Sequence, residues 1–209
     1  NSADVVRNLR DIDIVINFAA LTYLPTSWDT PEAYTKVNYG GVVSLLEGHK
    51  QFRKFIQIST SHVYGDQEKM PIVLGVNVPA PKDPYSIAKL MAEKAVVGYA
   101  EKFNFDYLII RPFNNFGPRQ SRDFVIPTFI TQALKNHKIV VRGNTLREFL
   151  YVKDNVRAIK MLLDEDAKGF RQHCVGKPHA IMEIAKMIAD VVGNCDVELA
   201  ESDRQSDIQ

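Results

Sequence analysis

Tyr85 and Lys89 stand four residues apart in Asp83-Pro84-Tyr85-Ser86-Ile87-Ala88-Lys89. On a helix that spacing puts both side chains on one face, a turn apart. The neighbouring residues predict such a helix. Asp83 can cap its N-terminus, and Pro84 suits the first helical position, where its missing N–H is no loss. An ammonium beside a phenol favours the phenolate and lowers a pKa that starts near ~10. That is the chemistry of a tyrosine acting as acid or base at neutral pH. Tyr-x-x-x-Lys is also a common spacing on exposed helices, so its meaning rests on the elements that would position it.

Those elements alternate between strand and helix. Ile12–Phe18 reads as a buried strand, rich in β-branched residues, and ends in the small pair Ala19-Ala20. A loop with Pro25, Thr26, Ser27 and Trp28 precedes a long helix over about 31–50. Phe55–Ser59 is the next strand, followed at its C-terminal end by Thr60-Ser61-His62-Val63-Tyr64-Gly65. Residues 66–82 read as a surface loop, and the Tyr85 helix runs to about Phe103. Tyr107–Arg111 is a further strand, closed by Pro112. After a polar, aromatic, turn-rich stretch at 113–120 come helices near 127–136, 153–165 and 180–192. Short strands are expected near 139–141, 147–152, 170–175 and 197–199.

Alternating strands and helices predict a parallel sheet with right-handed crossovers, whose ligands lie beyond the C-terminal strand ends. The candidate residues fall there: Ala19 and Ala20 after one strand, Thr60 after the next, Phe113 and Asn114 after the third. A dinucleotide-binding fold normally opens with a strand, a Gly-rich turn and a helix. The eleven glycines include no G-x-G-x-x-G, so the chain reads as a fragment lacking the opening βαβ units.

Composition narrows the class. At 209 residues, 45% hydrophobic and 24% charged, the chain has the make-up of a globular protein. A net charge of +1 without long runs of one sign points to neither nucleic acid nor an anionic membrane. No apolar run is long enough to span a bilayer, and the first residues resemble neither a signal nor a transit peptide. Cys174 and Cys195 lack metal-type spacing, so no metal is expected; buried thiols are the default reading, with a disulfide the unsupported alternative. The cytoplasm is the simplest compartment.

Six motifs in order carry a resemblance: Asn17-Phe18-Ala19-Ala20; Asn38 in Val37-Asn38-Tyr39-Gly40-Gly41; Ser59 to Gly65; Tyr85-x-x-x-Lys89; Arg111 to Arg119; and Arg147-Glu148-Phe149-Leu150-Tyr151-Val152. The sequence resembles the extended short-chain dehydrogenase/reductase family, in its NAD-dependent nucleotide-sugar epimerase/dehydratase branch. The resemblance implies an α/β fold: a doubly wound, Rossmann-like parallel sheet, N-terminally incomplete, with a small α+β substrate-binding lobe. The NAD-binding core is expected at 1–112 and 147–169, and the lobe at 113–146 and 170–209. It implies NAD contacts at Phe18, Ala19, Ala20, Asn38, Ser59, Tyr85, Lys89 and Phe113. Tyr85 is the implied acid/base, Lys89 its partner and Thr60 the hydroxyl on the reacting sugar oxygen. Substrate contacts are implied at Thr60, Ser61, His62 and Asn114, at Val125 and Ile126 near the base, and at Arg147 and Arg204 on the diphosphate. Arg119 is a further cation in the right part of the chain. A homodimer through the helices near 31–50 and 84–103 is also implied.

His62 departs from the family pattern. In its 4,6-dehydratases the two positions after the Ser/Thr are usually Asp and Glu; here they are Ser61 and His62. That moves weight toward a nucleotide-sugar 4-epimerase working through a transient 4-keto sugar, with a UDP-sugar as the default substrate. A 4,6-dehydratase using His62 is the alternative. A non-catalytic nucleotide-sugar-binding protein is the alternative for the fragment alone.

Overall fold

The computed structural model describes residues 12–48, 52–173 and 177–200. Its elements are β1 (Ile14–Asn17), α1 (Leu24–Asp29), α2 (Pro31–Tyr34), α3 (Gly41–Gly48), β2 (Lys54–Ile58), α4 (Pro84–Phe103), β3 (Asp106–Pro112) and β4 (Asn114–Phe116). They continue as α5 (Val125–Asn136), β5 (Lys138–Arg142), β6 (Leu146–Tyr151), α6 (Val152–Asp164), β7 (Gly169–His173), β8 (Pro178–Ala180), α7 (Ile181–Val192) and β9 (Asp196–Ala200). A π-helical turn, Thr35–Gly40, joins α2 to α3, and a 3₁₀ turn, Ser61–Tyr64, follows β2.

The described residues of 1–113 and 158–173 form one compact unit, and those of 114–157 and 177–200 another. In the first, β1, β2, β3 and β7 make a parallel sheet in that order. This is the expected Rossmann-like architecture. The central strand β2 is nearly all buried, since β1 and β3 flank it. Ile16 of β1 is 37% exposed. The buried reading of that strand is corrected, because among the described residues it pairs on one side only. Helices α3 and α4 cover one face through Val42, Leu46, Ala92 and Val96 packed on Phe55 and Ile109. Ile159 of α6 packs with Ile56, Leu108 and Ile110 in a separate cluster. That division follows from side-chain alternation along a strand.

The second unit holds β4, β6 and β8 in one small sheet and the parallel pair β5–β9 in another. Phe129, Ala133, Ile139, Val141, Ile181, Ala185 and Ala189 form its core. Three expected boundaries change, and Phe113 belongs to the first unit. β6 pairs with β4 and β8, so 147–157 belongs to this unit. β7 pairs with β3, so 170–173 belongs to the first. Period-two alternation marks a strand but does not say which edge it will join. Cys195 is half-buried against the second core, and Cys174 lies outside the described residues. No helix among the described residues is long and apolar enough to cross a membrane.

Helix α4 forms as its sequence dictates. The Asp83 carboxylate accepts from the Ser86 backbone N–H at 2.8 Å, Pro84 occupies the first position, and Asn104 ends the helix in the left-handed region at φ 57°. Two other expectations need amendment. Residues 24–29 form the short helix α1, started by Pro25, where a loop was expected. The helix over 31–48 is interrupted by the π-helical turn, which no local propensity announces.

The loop before α4 is closed at its neck. The Ala80 amide donates to the Tyr64 carbonyl at 3.3 Å. Gly65 has φ +60°, and a Cβ there would lie 2.0 Å from the Ala80 carbonyl oxygen. Inside the loop, Asn77 accepts from the Val73 amide at 2.8 Å and donates to Gln67 at 3.0 Å. Gly65→Ala is therefore expected to destabilise by well over ~1 kcal/mol, from strain and steric conflict together. Gly75, at φ +82° with nothing within 4 Å of a Cβ, is the control. Urea denaturation should show Gly65→Ala costing clearly more than Gly75→Ala.

Candidate active site

The C-terminal ends of β1, β2 and β3 gather most of the candidate residues of the first unit. Thr60 leaves β2 in an extended conformation, and its hydroxyl accepts from the His62 backbone N–H at 3.2 Å. Thr60 thus caps the turn that carries Ser61 and His62. Tyr85 enters from the first turn of α4, 8% exposed, near enough to Thr60 for that hydroxyl to act on the phenol. The His62 ring meets the Tyr85 ring edge-on at 6.3 Å between centroids, and Tyr34 meets it edge-on at 6.3 Å. The phenol is held by two rings and one hydroxyl.

Burial dominates the electrostatics. It pushes the Tyr85 hydroxyl up to about 12; Thr60 pulls the other way, while Asp83 and Tyr34 add to the rise. Lys89, 3% exposed, is pushed down to about 8 by burial, with Glu93 opposing the fall. Its ammonium donates to the Ile58 carbonyl at 2.5 Å. The expected lowering of the Tyr85 pKa by Lys89 is corrected: desolvation raises the phenol, Lys89 is not among the groups that shift it, and the ammonium is engaged at the end of β2.

Cofactor candidates from the sequence lie at the same strand ends. Phe18 is 60% exposed just past β1. The Ala19 amide donates to Asn17 at 3.1 Å, which turns the chain there. Ser59 is buried at the end of β2, and its hydroxyl has no hydrogen-bond partner. A buried unsatisfied hydroxyl is costly, and a bound group offering an amide would satisfy it. With the Lys89 ammonium near by, this donor set fits the nicotinamide riboside end of NAD. Phe113 is half-buried after β3, where its amide donates to the His173 carbonyl at 2.9 Å.

Asn38 is 1% exposed within the π-helical turn. Its carboxamide accepts from the Leu21 N–H at 2.8 Å and donates to the Leu21 carbonyl at 2.9 Å. It clamps the segment after β1, a structural support for that edge of the site.

The remaining candidates belong to the second unit. Asn114 donates to the Glu148 carbonyl at 2.9 Å, and Asn114 and Arg147 lie on adjacent strands, β4 and β6. The Arg147 guanidinium is 3.5 Å from the Thr145 hydroxyl. Val125 and Ile126 begin α5, with Val125 packed on the core of this unit. Arg119 is exposed, with φ 71°. Arg204 lies outside the described residues.

Sequence reasoning missed several residues around the phenol. Tyr34 was passed over as a helix residue, yet its ring packs on Tyr85 and its hydroxyl meets Thr26 at 2.6 Å. Glu93 was visible as the next residue after Tyr85 and Lys89 in a four-residue series. Its bidentate partner Arg111 stood in a recognised motif without a role.

Known proteins supply a context for this geometry. The model of the NAD dependent epimerase/dehydratase family matches residues 1–176. Human dTDP-D-glucose 4,6-dehydratase is 36% identical over 168 residues, covering 76% of this chain and 46% of that protein. The structure of UDP-N-acetylglucosamine 4-epimerase from Methanobrevibacter ruminantium M1, in complex with UDP-N-acetylmuramic acid, is 32% identical with a TM-score of 0.91. It is covered over 68% of its length by 98% of this chain. UDP-glucuronic acid 4-epimerase from Bacillus cereus, in complex with UDP-glucuronic acid and NAD, is 30% identical with a TM-score of 0.86; 95% of this chain covers 66% of it. The chain spans about half the length of the curated relatives it matches. A family match over most of the sequence, a Rossmann-like parallel sheet and a buried Tyr–Lys–Thr group at its strand ends agree: the chain belongs to the NAD dependent epimerase/dehydratase family.

Proposed function

We propose that the protein containing this chain is an NAD-dependent nucleotide-sugar 4-epimerase, with a UDP-sugar as the default substrate. One observation carries the choice. The Thr60 hydroxyl, the Tyr85 partner, opens a turn whose next residues are Ser61 and His62 rather than two carboxylic acids. Epimerisation at C4 needs a proton acceptor for the C4 hydroxyl and a hydrogen bond to the oxygen as it becomes a carbonyl. Tyr85 and Thr60 are those groups. NAD, when bound, supplies the hydride acceptor and later donor at C4. Phe18, Ala19, Ala20, Ser59, Lys89 and Phe113 are the residues assigned to hold it, with Asn38 bracing the first of them. The C4 hydroxyl gives its proton to Tyr85 on oxidation, and the same phenol returns it once the keto sugar has presented its other face.

With its pKa at about 12, Tyr85 is a phenol at neutral pH, and a base at this position requires added positive charge. Lys89 is the cation that α4 places one turn away. We assign the lobe role to the second unit, with Asn114, Arg147 and Arg204 on the diphosphate and Val125 and Ile126 toward the base. Arginine suits a diphosphate because its planar fork pairs bidentately with phosphate oxygens.

The 4,6-dehydratase reading keeps one observation in its favour, the His62 ring against Tyr85. Product analysis separates the two. Incubation with NAD and UDP-glucose or UDP-GlcNAc, read by NMR, is expected to yield the C4-inverted sugar. A 4-keto-6-deoxy product would overturn the epimerase reading in favour of the dehydratase. Nucleotide-sugar binding without any turnover would favour the non-catalytic reading.

A homodimer through α2–α3 and α4 belongs to the same proposal. Val37, Ile87 and Met91 are exposed on these elements, at 39%, 42% and 38%, beside Tyr39, Leu90 and Ala95. Burying such a face stabilises association at roughly 25 cal/mol per Å². Met91→Glu is expected to shift sedimentation from dimer to monomer; an unchanged dimer would place the interface elsewhere.

Thr60→Val removes the hydroxyl that lowers the Tyr85 pKa and keeps the side-chain shape. The deprotonated phenol is the active base in the oxidation step, so a higher pKa moves the ascending limb of the pH–rate profile to higher pH. A loss in kcat of ~10²–10³ is expected with that shift. An unmoved profile would remove Thr60 from the proton-transfer group.

A further inference from the structure

Thr60 and Tyr85 are far apart in sequence, yet Thr60 caps the turn whose His62 ring meets the Tyr85 ring edge-on at 6.3 Å, and the Thr60 hydroxyl acts on the phenol by lowering its pKa. Thr60 belongs to the β2–turn segment and Tyr85 to α4, with the closed loop between them. The loop neck ties Tyr64 to Ala80, five residues before Tyr85. A neck limits how far the two segments separate but does not orient one against the other. That orientation needs a rigid group touching both.

Arg111, at the C-terminal end of β3 and 6% exposed, is such a group. Its Nε donates to one Glu93 carboxylate oxygen at 2.9 Å and its Nη2 to the other at 2.6 Å. Glu93 lies on α4, one turn beyond Lys89 and two beyond Tyr85. The Arg111 Nη1 donates to the Tyr64 hydroxyl at 3.0 Å. Tyr64 is the last residue of the turn that Thr60 caps and is fully buried. The guanidinium also lies 4.9 Å from the ring centroids of both Tyr64 and Phe170. The Tyr64 hydroxyl passes the chain on to Gln172 at 3.2 Å, whose amide donates to the Ile72 carbonyl inside the loop at 3.0 Å. One planar cation therefore grips the helix that carries the phenol, the turn that carries the threonine and, through β7, the loop that joins them.

We infer that Arg111 is a positioning residue that sets the Thr60–Tyr85 hydroxyl contact, acting through Glu93 on one side and Tyr64 on the other. The inference rests on the proposed epimerase reading for its catalytic consequence and on geometry alone for its structural one. Lysine cannot replace Arg111 here, because a point charge on a flexible stem makes neither the bidentate fork nor the stacking contacts with the two rings. A merely structural ion pair would be satisfied by any cation that kept the core folded.

The experiment compares wild type, Arg111→Lys and Tyr64→Phe. The second variant keeps the ring stack and deletes a single hydroxyl, so it remains informative if the first does not fold. In the epimerase assay, Arg111→Lys is expected to lower kcat by about 10²-fold and Tyr64→Phe by about tenfold, with KM and NAD affinity little changed. Hydrogen exchange gives a readout independent of turnover. Amides of 61–65 and Ala80 are expected to exchange faster in both variants, while those of 90–100 in α4 stay protected. Unchanged kcat in a folded Arg111→Lys, or unchanged exchange at 61–65 in Tyr64→Phe, would overturn the inference. If wild type turns over no nucleotide sugar, the epimerase reading fails by itself, and the exchange result still decides the positioning role.

Discussion

Three ionisable side chains are buried on one face of one helix. Tyr85, Lys89 and Glu93 of α4 are 8%, 3% and 1% exposed, spaced one turn apart. An uncompensated buried charge costs several kcal/mol, so each must find its partner in the sheet beneath. Lys89 reaches the carbonyl that ends β2, Glu93 takes the guanidinium that ends β3, and Tyr85 meets Thr60 just beyond β2. The seat of α4 on the sheet is thereby specified by polar contacts as well as by Ala92 and Val96 in the apolar core. The apolar contacts hold the helix down, and the polar contacts fix its register against strand ends where chemistry can occur.

The same logic governs the approach to the site. Beyond β1 the chain leaves the sheet with no ladder to satisfy its backbone. Asn38 completes that backbone by bonding both polar groups of Leu21. Delivering that carboxamide coincides with a π-helical turn in the middle of an otherwise α-helical run. Such turns are uncommon and tend to accompany function. Tyr34, one residue before the turn, then packs its ring on Tyr85 and its hydroxyl against Thr26. The segment after β1 and the candidate acid/base are thus held by neighbouring residues of a single helix.

Desolvation decides the protonation states of this group. A phenol at about 12 and an ammonium at about 8 are both displaced toward their neutral forms. Positive charge added near by, as at a site for an oxidised nicotinamide, would bring the phenol back down and push the ammonium down further. Ser59, with a buried hydroxyl lacking a partner, marks the same place by a different criterion.

Local features were legible from the residues alone. The Asp83–Pro84 start of α4, its one-turn spacing of Tyr85 and Lys89, and the strand–helix alternation all follow from contacts within a few residues. They came out as read. The alternation and the motifs that carry the family resemblance likewise sufficed for a Rossmann-like parallel sheet. Non-local partners were not legible. No spacing shows that Lys89 will bond the Ile58 carbonyl, that Glu93 will take Arg111, or that Asn38 will bond Leu21. β6 and β7 read equally well as strands of either unit, because alternation fixes which side chains face a core and not which edge accepts the strand. The Tyr85–Lys89 pair shows the division most clearly. Helical periodicity alone placed the two side chains together. Burial, which exists only once α4 is packed on the sheet, set their pKa values and reversed the expected sign for the phenol.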